Sequence, residues 1–233
     1  SNTNQNKVKK DMINFEKGTY GYDKNFLKKN SIEIVELQDK DCKSSLLLAP
    51  GYQGRVMTST AGGDKGLSFG WINYKLIESG RILKHINPVG GEERFWLGPE
   101  GGAYSIYFGP EKEQVFENWQ VPPLLDTEAF EINEQSANRV VFTKNTELKN
   151  ASGNILKMEI KRTVKILSKD SLPAMLNVNI PVERLNVVAY QSDNIIKNTG
   201  SNSWNKENGL LSVWMLCMFN PSTSTTVFLP YNI

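Results

Sequence analysis

The stretch KMEIKRTVKIL, residues 157–167, alternates between polar and apolar side chains along most of its length. Side chains of a β-strand point alternately to its two faces, so this period of two predicts a half-buried strand. Arg162 is the exception on the otherwise apolar face. The apolar residues that share this face are Met158, Ile160, Val164 and Ile166.

Many other short runs, separated by Gly, Pro, Asn and Asp, continue the same pattern. One short helix is expected at residues 22–30, with Asp23 as its cap, and residues 145–156 are expected to connect a hairpin. No repeat of fixed period occurs, and short strands in series are typical of an all-β sandwich or barrel. Further strands are predicted at 31–37, 44–50, 54–60, 67–77, 138–145, 173–182, 186–192, 210–219 and 225–231.

The composition excludes several classes of function. The net charge is +2 and the lysines are scattered, which argues against a nucleic-acid-binding face. One histidine rules out zinc sites that need two or three imidazoles, and no cofactor motif is present. Cys217 lies in an apolar run, so we expect a buried free thiol, with a disulfide to Cys42 as the alternative. No metal and no cofactor are expected.

The two ends of the chain differ from its middle. Residues 1–16 are mostly polar and predict a disordered leader, and residues 17–233 predict one domain. A polar tether of this kind follows the lipidated cysteine of bacterial lipoproteins. We therefore expect a periplasmic or cell-surface lipoprotein, attached to a membrane only through a lipid anchor that this chain lacks. The chain stops after an apparent strand, so we expect the domain to be truncated at its C-terminus.

Several separated motifs carry a resemblance to a known group of proteins. They lie at residues 54–73, 87–108, 118–123, 192–204 and 209–216. Together they resemble a bacterial family of unknown function that is similar to the galactose mutarotase-like, or aldose 1-epimerase-like, proteins. The shorter set Gly90, Gly91, Trp96, Pro99 and Glu100 also recurs in epimerase-like domains. The resemblance runs from about residue 17 to the end of the chain and implies a large antiparallel β-sandwich, the supersandwich.

Residues 90–102, GGEERFWLGPEGG, are the densest of these motifs. As a strand, this stretch places Glu92, Arg94 and Trp96 on one face and Glu93 on the other, with Phe95. We expect the first face to be concave and wet. An indole stacks on sugar rings, and a guanidinium with a carboxylate binds hydroxyls. The alternative is a surface ion pair between Glu92 and Arg94 beside a partly buried Trp96.

Three residues are candidates for acid–base catalysis. Glu100 follows Pro99 at a strand end and is expected to act as a ligand contact or general base, or else to accept hydrogen bonds from turn amides. Glu93 is either a buried carboxylate with a raised pKa or the partner of an arginine or lysine. His85 could reach the same cleft or serve as a structural hydrogen-bonding group. Epimerases of the resembling group use a glutamate base, typically from the C-terminal part of the fold, and a histidine acid.

Three further side chains are candidates for substrate binding. Trp119 is either a second stacking residue or a core residue held by Pro122 and Pro123. The amide of Asn194 suits recognition of hydroxyls, although asparagine near glycine is also common in turns. Arg55 is a candidate for binding a hydroxyl or a carboxylate, with a buried salt bridge as the alternative.

The sequence therefore predicts a carbohydrate-binding, mutarotase-like β-sandwich that takes a mono- or oligosaccharide. It acts either as a sugar epimerase or as an accessory protein of glycan utilisation. The alternative is a structural or assembly domain that keeps the fold without a working site, for which Trp96 should be buried. The site hypothesis requires Glu92, Arg94, Trp96 and Glu100 to converge with His85 on one concave face.

Overall fold

The computed structural model describes residues 14–179, 181–229 and 231, and the predicted leader lies mostly outside them. The strands are β1 (Val35–Gln38), β2 (Ser45–Ala49), β3 (Arg55–Thr60), β4 (Arg94–Gly98), β5 (Glu131–Gln135), β6 (Arg139–Lys149), β7 (Ile155–Ile166), β8 (Tyr190–Asn198) and β9 (Ser212–Leu216). The α-helices are α1 (Tyr20–Lys29), α2 (Tyr74–Ser79), α3 (Pro123–Asp126) and α4 (Leu172–Leu176). Short 3₁₀ turns occur at Pro50–Tyr52, Gly63–Lys65, Phe116–Asn118, Lys169–Ser171 and Val182–Arg184.

These strands form antiparallel sheets in a sandwich-like arrangement, as the strand pattern predicts. One sheet has the order β1-β2-β3, a second has β5-β6-β7-β8, and β4 pairs with β9. An isolated bridge between Val56 and Glu93 joins β3 to the segment that enters β4. Strands β6 and β7 form a hairpin, paired from Arg139 with Lys165 to Lys149 with Ile155, but its connection is residues 150–154 and is therefore shorter than the predicted 145–156.

The main core lies between the four-stranded sheet and strands β1 to β4. Phe142 and Ile160 from the four-stranded sheet pack there with Leu46, Val56 and Phe95. A second, smaller core lies on the other side of β2 and β3, beneath the helices α1 and α2. It contains apolar side chains from all four elements: Tyr20, Leu27, Leu47, Met57 and Ile77. Removal of this apolar surface from water is the main stabilising contribution to such a sandwich.

The N-terminal helix begins earlier than the sequence predicts. Thr19 caps α1, because its hydroxyl accepts a hydrogen bond from the backbone N–H of Tyr22 at 3.4 Å. Asp23, the predicted cap, is fully buried instead and accepts hydrogen bonds from the hydroxyls of Ser68 and Tyr74. The prediction of Asp23 as a cap is therefore wrong, since its carboxylate joins α1 to the rest of the domain.

In the described residues, three of the predicted strands do not form. Within 67–77, the side chain of Asn73 accepts from the N–H of Leu76 and starts α2. Within 173–182, Pro173 stands in the first turn of α4, where its fixed φ favours a helix start. The described residues of 225–231 are irregular and exposed. In the described part of the chain, no helix is long and apolar enough to cross a membrane.

Candidate functional site

Two glycines allow the candidate site to form between β3 and β4. Gly90 and Gly91 have φ values of +94° and +114°, a backbone conformation that residues with a side chain rarely adopt. A Cβ atom at Gly90 would collide with the carbonyl of Trp71, and one at Gly91 would collide with the side chain of Arg55. The pair therefore brings the backbone close to β3 and delivers the following residue, Glu92, into the interior.

Glu92 is almost fully buried and lines a cleft of about 630 Å³. Its Oε1 accepts hydrogen bonds from the hydroxyls of Ser59 at 2.8 Å and Tyr190 at 3.0 Å. Its Oε2 has no hydrogen-bond partner in the described part of the chain. Burial raises the pKa of Glu92 despite the two hydroxyl donors. This carboxyl group is thus poised near a cavity with one oxygen unsatisfied.

The remaining wall of this cavity, the Glu92 cleft, is both aromatic and polar. Asn220 is held there because its amide group donates to the carbonyls of Ser68 and Gly70 at 3.0 and 2.9 Å. Burial, followed by the carboxylates of Glu92 and Glu93, raises the pKa of Tyr190, so its hydroxyl remains protonated near neutral pH. The aromatic rings that line the cleft are those of Phe69, Tyr190, Phe219 and Phe228.

Glu93 turns to the opposite side of the chain and forms a buried ion pair with Arg162 of β7. Arg162 also donates to the carbonyl of Gly54 at 3.1 Å and to Oδ1 of Asn194 at 2.8 Å. The hydroxyl of Ser192 donates to Glu93 at 2.9 Å. The prediction that Glu93 pairs with an arginine or lysine is confirmed. Asn194, a candidate for sugar binding, belongs to this ion-pair network.

A second group, formed by Arg94, Trp96 and Glu100, lies outside the Glu92 cleft. Its Arg94 and Trp96 do not form the solvent-exposed surface that the sequence predicts. Arg94 and Trp96 are only 2% and 3% exposed, because both faces of β4 are covered. The Arg94 guanidinium lies 4.3 Å from the Trp96 ring centroid, and the Trp96 indole N–H donates to Glu100 at 2.8 Å. The prediction of an open ledge here is wrong, and the alternative ion pair between Glu92 and Arg94 does not form either.

The charge of Arg94 is balanced from another element. Its Nη2 lies 3.7 Å from Oδ1 of Asp126 and donates to the carbonyl of Leu125, while its Nε has no partner in the described residues. Burial lowers the pKa of Arg94 to about 10. Asp126 in turn accepts hydrogen bonds from the backbone and side chain of Asn87. Arg94 is therefore a packed core residue that supports Trp96.

His85 and Trp119 lie at the far end of the same aromatic group. Trp96 is 5.8 Å from Tyr107, and Tyr107 stacks on Trp119 at 5.6 Å. His85 Nδ1 is 2.6 Å from the carbonyl of Trp119, and its ring is 4.7 Å from Phe116. Trp119 thus packs against the core, while His85 has a structural contact. Neither residue lines the Glu92 cleft, so the five residues expected on one concave face divide between two places.

Arg55 is a buried arginine that forms no ion pair with any described residue. It donates to the carbonyl of Gly90 at 2.6 Å and to Oε1 of Gln53 at 3.1 Å, and its Nε is unpartnered. Burial, assisted by the neighbouring charge of Arg94, lowers the pKa of Arg55. The alternative of a buried salt bridge at Arg55 is therefore wrong. Its guanidinium instead holds the Gly90 turn that positions Glu92.

The partners that give the site its form could not be predicted from the sequence. Ser59 and Tyr190 carry no local motif, because each becomes informative only through its contact with Glu92. Arg162 did carry a signal, since it interrupts the apolar face of residues 157–167. A buried charge requires a partner, so this exception indicated a carboxylate on the facing element. Cys217 also differs from expectation: it is exposed, and both cysteines are free.

The comparisons with known proteins give a family and no function. In the described part of the chain, no three His, Cys, Asp or Glu side chains come together as a potential metal site. No curated protein and no solved structure matches the chain. A family model with the description "Family of unknown function (DUF6786)" matches residues 18–233. Since this match covers nearly all of the sequence, the chain belongs to that family of unknown function.

Proposed function

We propose that the protein binds a carbohydrate in the Glu92 cleft. The position of Glu92 in the cleft wall carries this proposal, and its buried Oε2, which has no donor among the described residues, marks a polar group whose burial is not compensated there. The cleft volume of about 630 Å³ falls within the range of small-molecule sites. A mono- or disaccharide fits the chemistry of the wall, which combines hydroxyl and amide groups with aromatic rings.

The resemblance of the sequence motifs to galactose mutarotase-like proteins supports the same class of ligand. The motif 90–102 contributes Glu92 itself, and residues 54–73 contribute Ser59 and Phe69. The binding surface is then the Glu92 cleft and not the face of Trp96. Arg94, Trp96, Trp119 and Arg55 then support the shape of the site, and Asn194 supports it through Arg162.

An epimerase-like activity would use Glu92 as the proton-transfer group. Burial raises the pKa of Glu92, so its carboxyl group holds a proton more tightly than an ordinary glutamate and is a candidate proton-transfer group. Glu92 would take the anomeric hydroxyl proton while the C1–O5 bond breaks, and the ring oxygen would receive a proton from solvent water that enters the cleft. Ring closure on the opposite face of C1 would reverse both transfers. Glu93, Glu100 and His85 would take no direct part, because each has another partner.

The test compares Glu92→Gln with Glu100→Gln by calorimetry and by saturation-transfer NMR, over a panel of neutral mono- and disaccharides. We expect the wild type to bind at least one sugar, and Glu92→Gln to weaken that binding by about tenfold or more, because the amide replaces one oxygen acceptor of the carboxyl group by a donor. Glu100→Gln is the matched control because Glu100 contacts Trp96 outside the cleft. Equal binding by wild type and Glu92→Gln would remove this cleft from consideration.

A structural or assembly role is the second candidate function, and the burial of Trp96 favours it. On this alternative the Glu92–Tyr190 and Glu93–Arg162 contacts serve stability alone. No sugar on a broad glycan array would then bind, and NMR would detect no change in the anomer equilibration rate of any aldose. Binding of a sugar that is lost in Glu92→Gln would contradict this alternative.

A further inference from the structure

The β8 strand is an open edge of the four-stranded sheet. In the described part of the chain it pairs with β7 and with no other strand. Exposed and half-buried side chains alternate along β8. The exposed side chains near its centre are those of Asp193, Ile195 and Lys197. Ile195 is 57% exposed. An unpaired edge that displays an apolar side chain invites pairing with another strand.

The hydrogen bonds to β7 determine which backbone groups of β8 are free. The N–H of Thr199 donates to the carbonyl of Lys157, and the N–H of Leu167 donates to the carbonyl of Ala189. Antiparallel bonding alternates along a strand, so the odd-numbered residues of β8 direct their backbone groups toward β7. The groups directed to the open edge belong to the even-numbered residues Ser192, Asn194, Ile196 and Asn198.

A second copy of the same strand can meet this edge in an antiparallel twofold arrangement. When the axis passes through Ile195, the residue pairs Asn194–Ile196 and Ser192–Asn198 form the hydrogen bonds. Ile195 then faces Ile195 of the second copy, and Asp193 faces Lys197 twice. These facing residues form non-hydrogen-bonded pairs, in which the side chains approach more closely. The exposed face of β8 is therefore self-complementary in both shape and charge.

Neighbouring registers lack this complementarity. An axis through Asn194 would place Asp193 opposite Ile195, and an axis through Ile196 would place Lys197 opposite Ile195. An axis through Asp193 or Lys197 would place like charges opposite each other, which is unfavourable. Lys197 is also aligned with Glu159 of β7 in the same sheet. In the register centred on Ile195, it would therefore lie between two carboxylates.

We propose that two copies of the chain associate through β8, antiparallel and centred on Ile195, so that the two four-stranded sheets become one continuous sheet. The contact is isologous, as in most homodimers, because the same surface serves both copies. Ile195 supplies the apolar centre, and the two Asp193–Lys197 pairs select the register. This association is independent of carbohydrate binding at Glu92.

The test is a charge-exchange series measured by sedimentation equilibrium over about a hundredfold range of concentration, since dimer formation follows mass action. We expect the wild type to dimerise. Asp193→Lys and Lys197→Asp should each weaken the dimer about tenfold or more, because each places like charges opposite each other at two positions. The double variant D193K/K197D should recover most of the affinity that either single variant loses, because opposite charges again face each other across the two copies, while the carboxylate introduced at position 197 lies beside Glu159 of its own chain in monomer and dimer alike.

Glu131→Lys is the matched control, since it reverses an exposed charge on β5 at the opposite edge of the same sheet. It should leave the dimer unchanged. A monomeric wild type at every concentration would overturn the proposal and show that Asp193 and Lys197 protect the edge from pairing. Failure of the double variant to restore association, or loss of the dimer in Glu131→Lys, would overturn it as well. Far-UV circular dichroism checks that each variant is folded.

Discussion

Arg162 and Glu93 form an ion pair in the interior of the protein, although 69 positions separate them in the sequence. The Arg162 side chain is fully buried, and that of Glu93 is 6% exposed. The pair joins the four-stranded sheet to the segment that enters β4, directly beside the Glu92 cleft. It also recruits Ser192 and Asn194 from β8. One contact thus fixes the relative position of three parts of the chain.

Replacement of Arg162 by methionine should destabilise the protein by about 3–5 kcal/mol, because Glu93 would remain buried without a counter-charge. Urea unfolding followed by tryptophan fluorescence measures this loss. The matched control is Arg139→Met, which removes an exposed ion pair with Glu134 and should change the unfolding midpoint very little. Equal effects of the two substitutions would contradict a structural role for the buried pair.

Glu92 should make stability depend on pH in a defined direction. Burial raises its pKa in the folded state, so the unfolded chain loses this proton at a lower pH than the folded protein does. Stability should therefore fall as pH rises from about 4.3, the ordinary glutamate value, to the raised value, and the contribution should be constant above it. Glu92→Gln has no proton to lose there.

The measurement is the free energy of unfolding of wild type and Glu92→Gln at a series of pH values. The difference between them should shift in favour of the variant through that window. Comparison with wild type removes the contribution of Asp23, whose pKa burial also raises. A difference that does not change with pH, or that shifts in favour of wild type, would refute the raised pKa of Glu92.

The strand pattern of the sequence was sufficient to predict most of the sheet, and the failures have local causes. Residues 157–167 predicted β7 and its buried face because alternation requires no knowledge of distant contacts. The sequence predicts strands where the helices α2 and α4 lie, because each helix spans two turns or fewer. Such helices contain too few residues to show a period of 3.6, and their ends depend on Asn73 and Pro173.

The sequence predicts the type of residue that contacts a site residue better than it predicts whether that site residue is buried or exposed. A cationic partner for Glu93 followed from the cost of burying a charge, but its identity depended on a contact between distant strands. The ledge at Arg94 and Trp96 failed because alternation predicts two faces and not which of them is covered. In β4 both faces are buried. Only the three-dimensional fold could place Tyr190 against Glu92.

Gly91 should tolerate no side chain. Gly91→Ala would combine a positive φ with a collision against Arg55, and we expect a loss of about 1–3 kcal/mol in the free energy of unfolding. Gly51→Ala is the control, since a Cβ atom there meets no heavy atom within 4 Å. Chemical denaturation of both variants provides the measurement. A Gly91→Ala protein as stable as Gly51→Ala would show that the turn before Glu92 is not constrained.

Trp96 should contribute to stability as a core residue. Its indole contacts Arg94, Tyr107 and Trp214 and donates to Glu100, so Trp96→Ala should cost about 3–5 kcal/mol. Trp214, which is 42% exposed on β9, is the matched comparison, and Trp214→Ala should cost about 1 kcal/mol. Urea midpoints of the two variants measure the difference. If Trp96→Ala instead left stability unchanged and abolished sugar binding, the indole would belong to the binding surface and Glu92 would have to share that role.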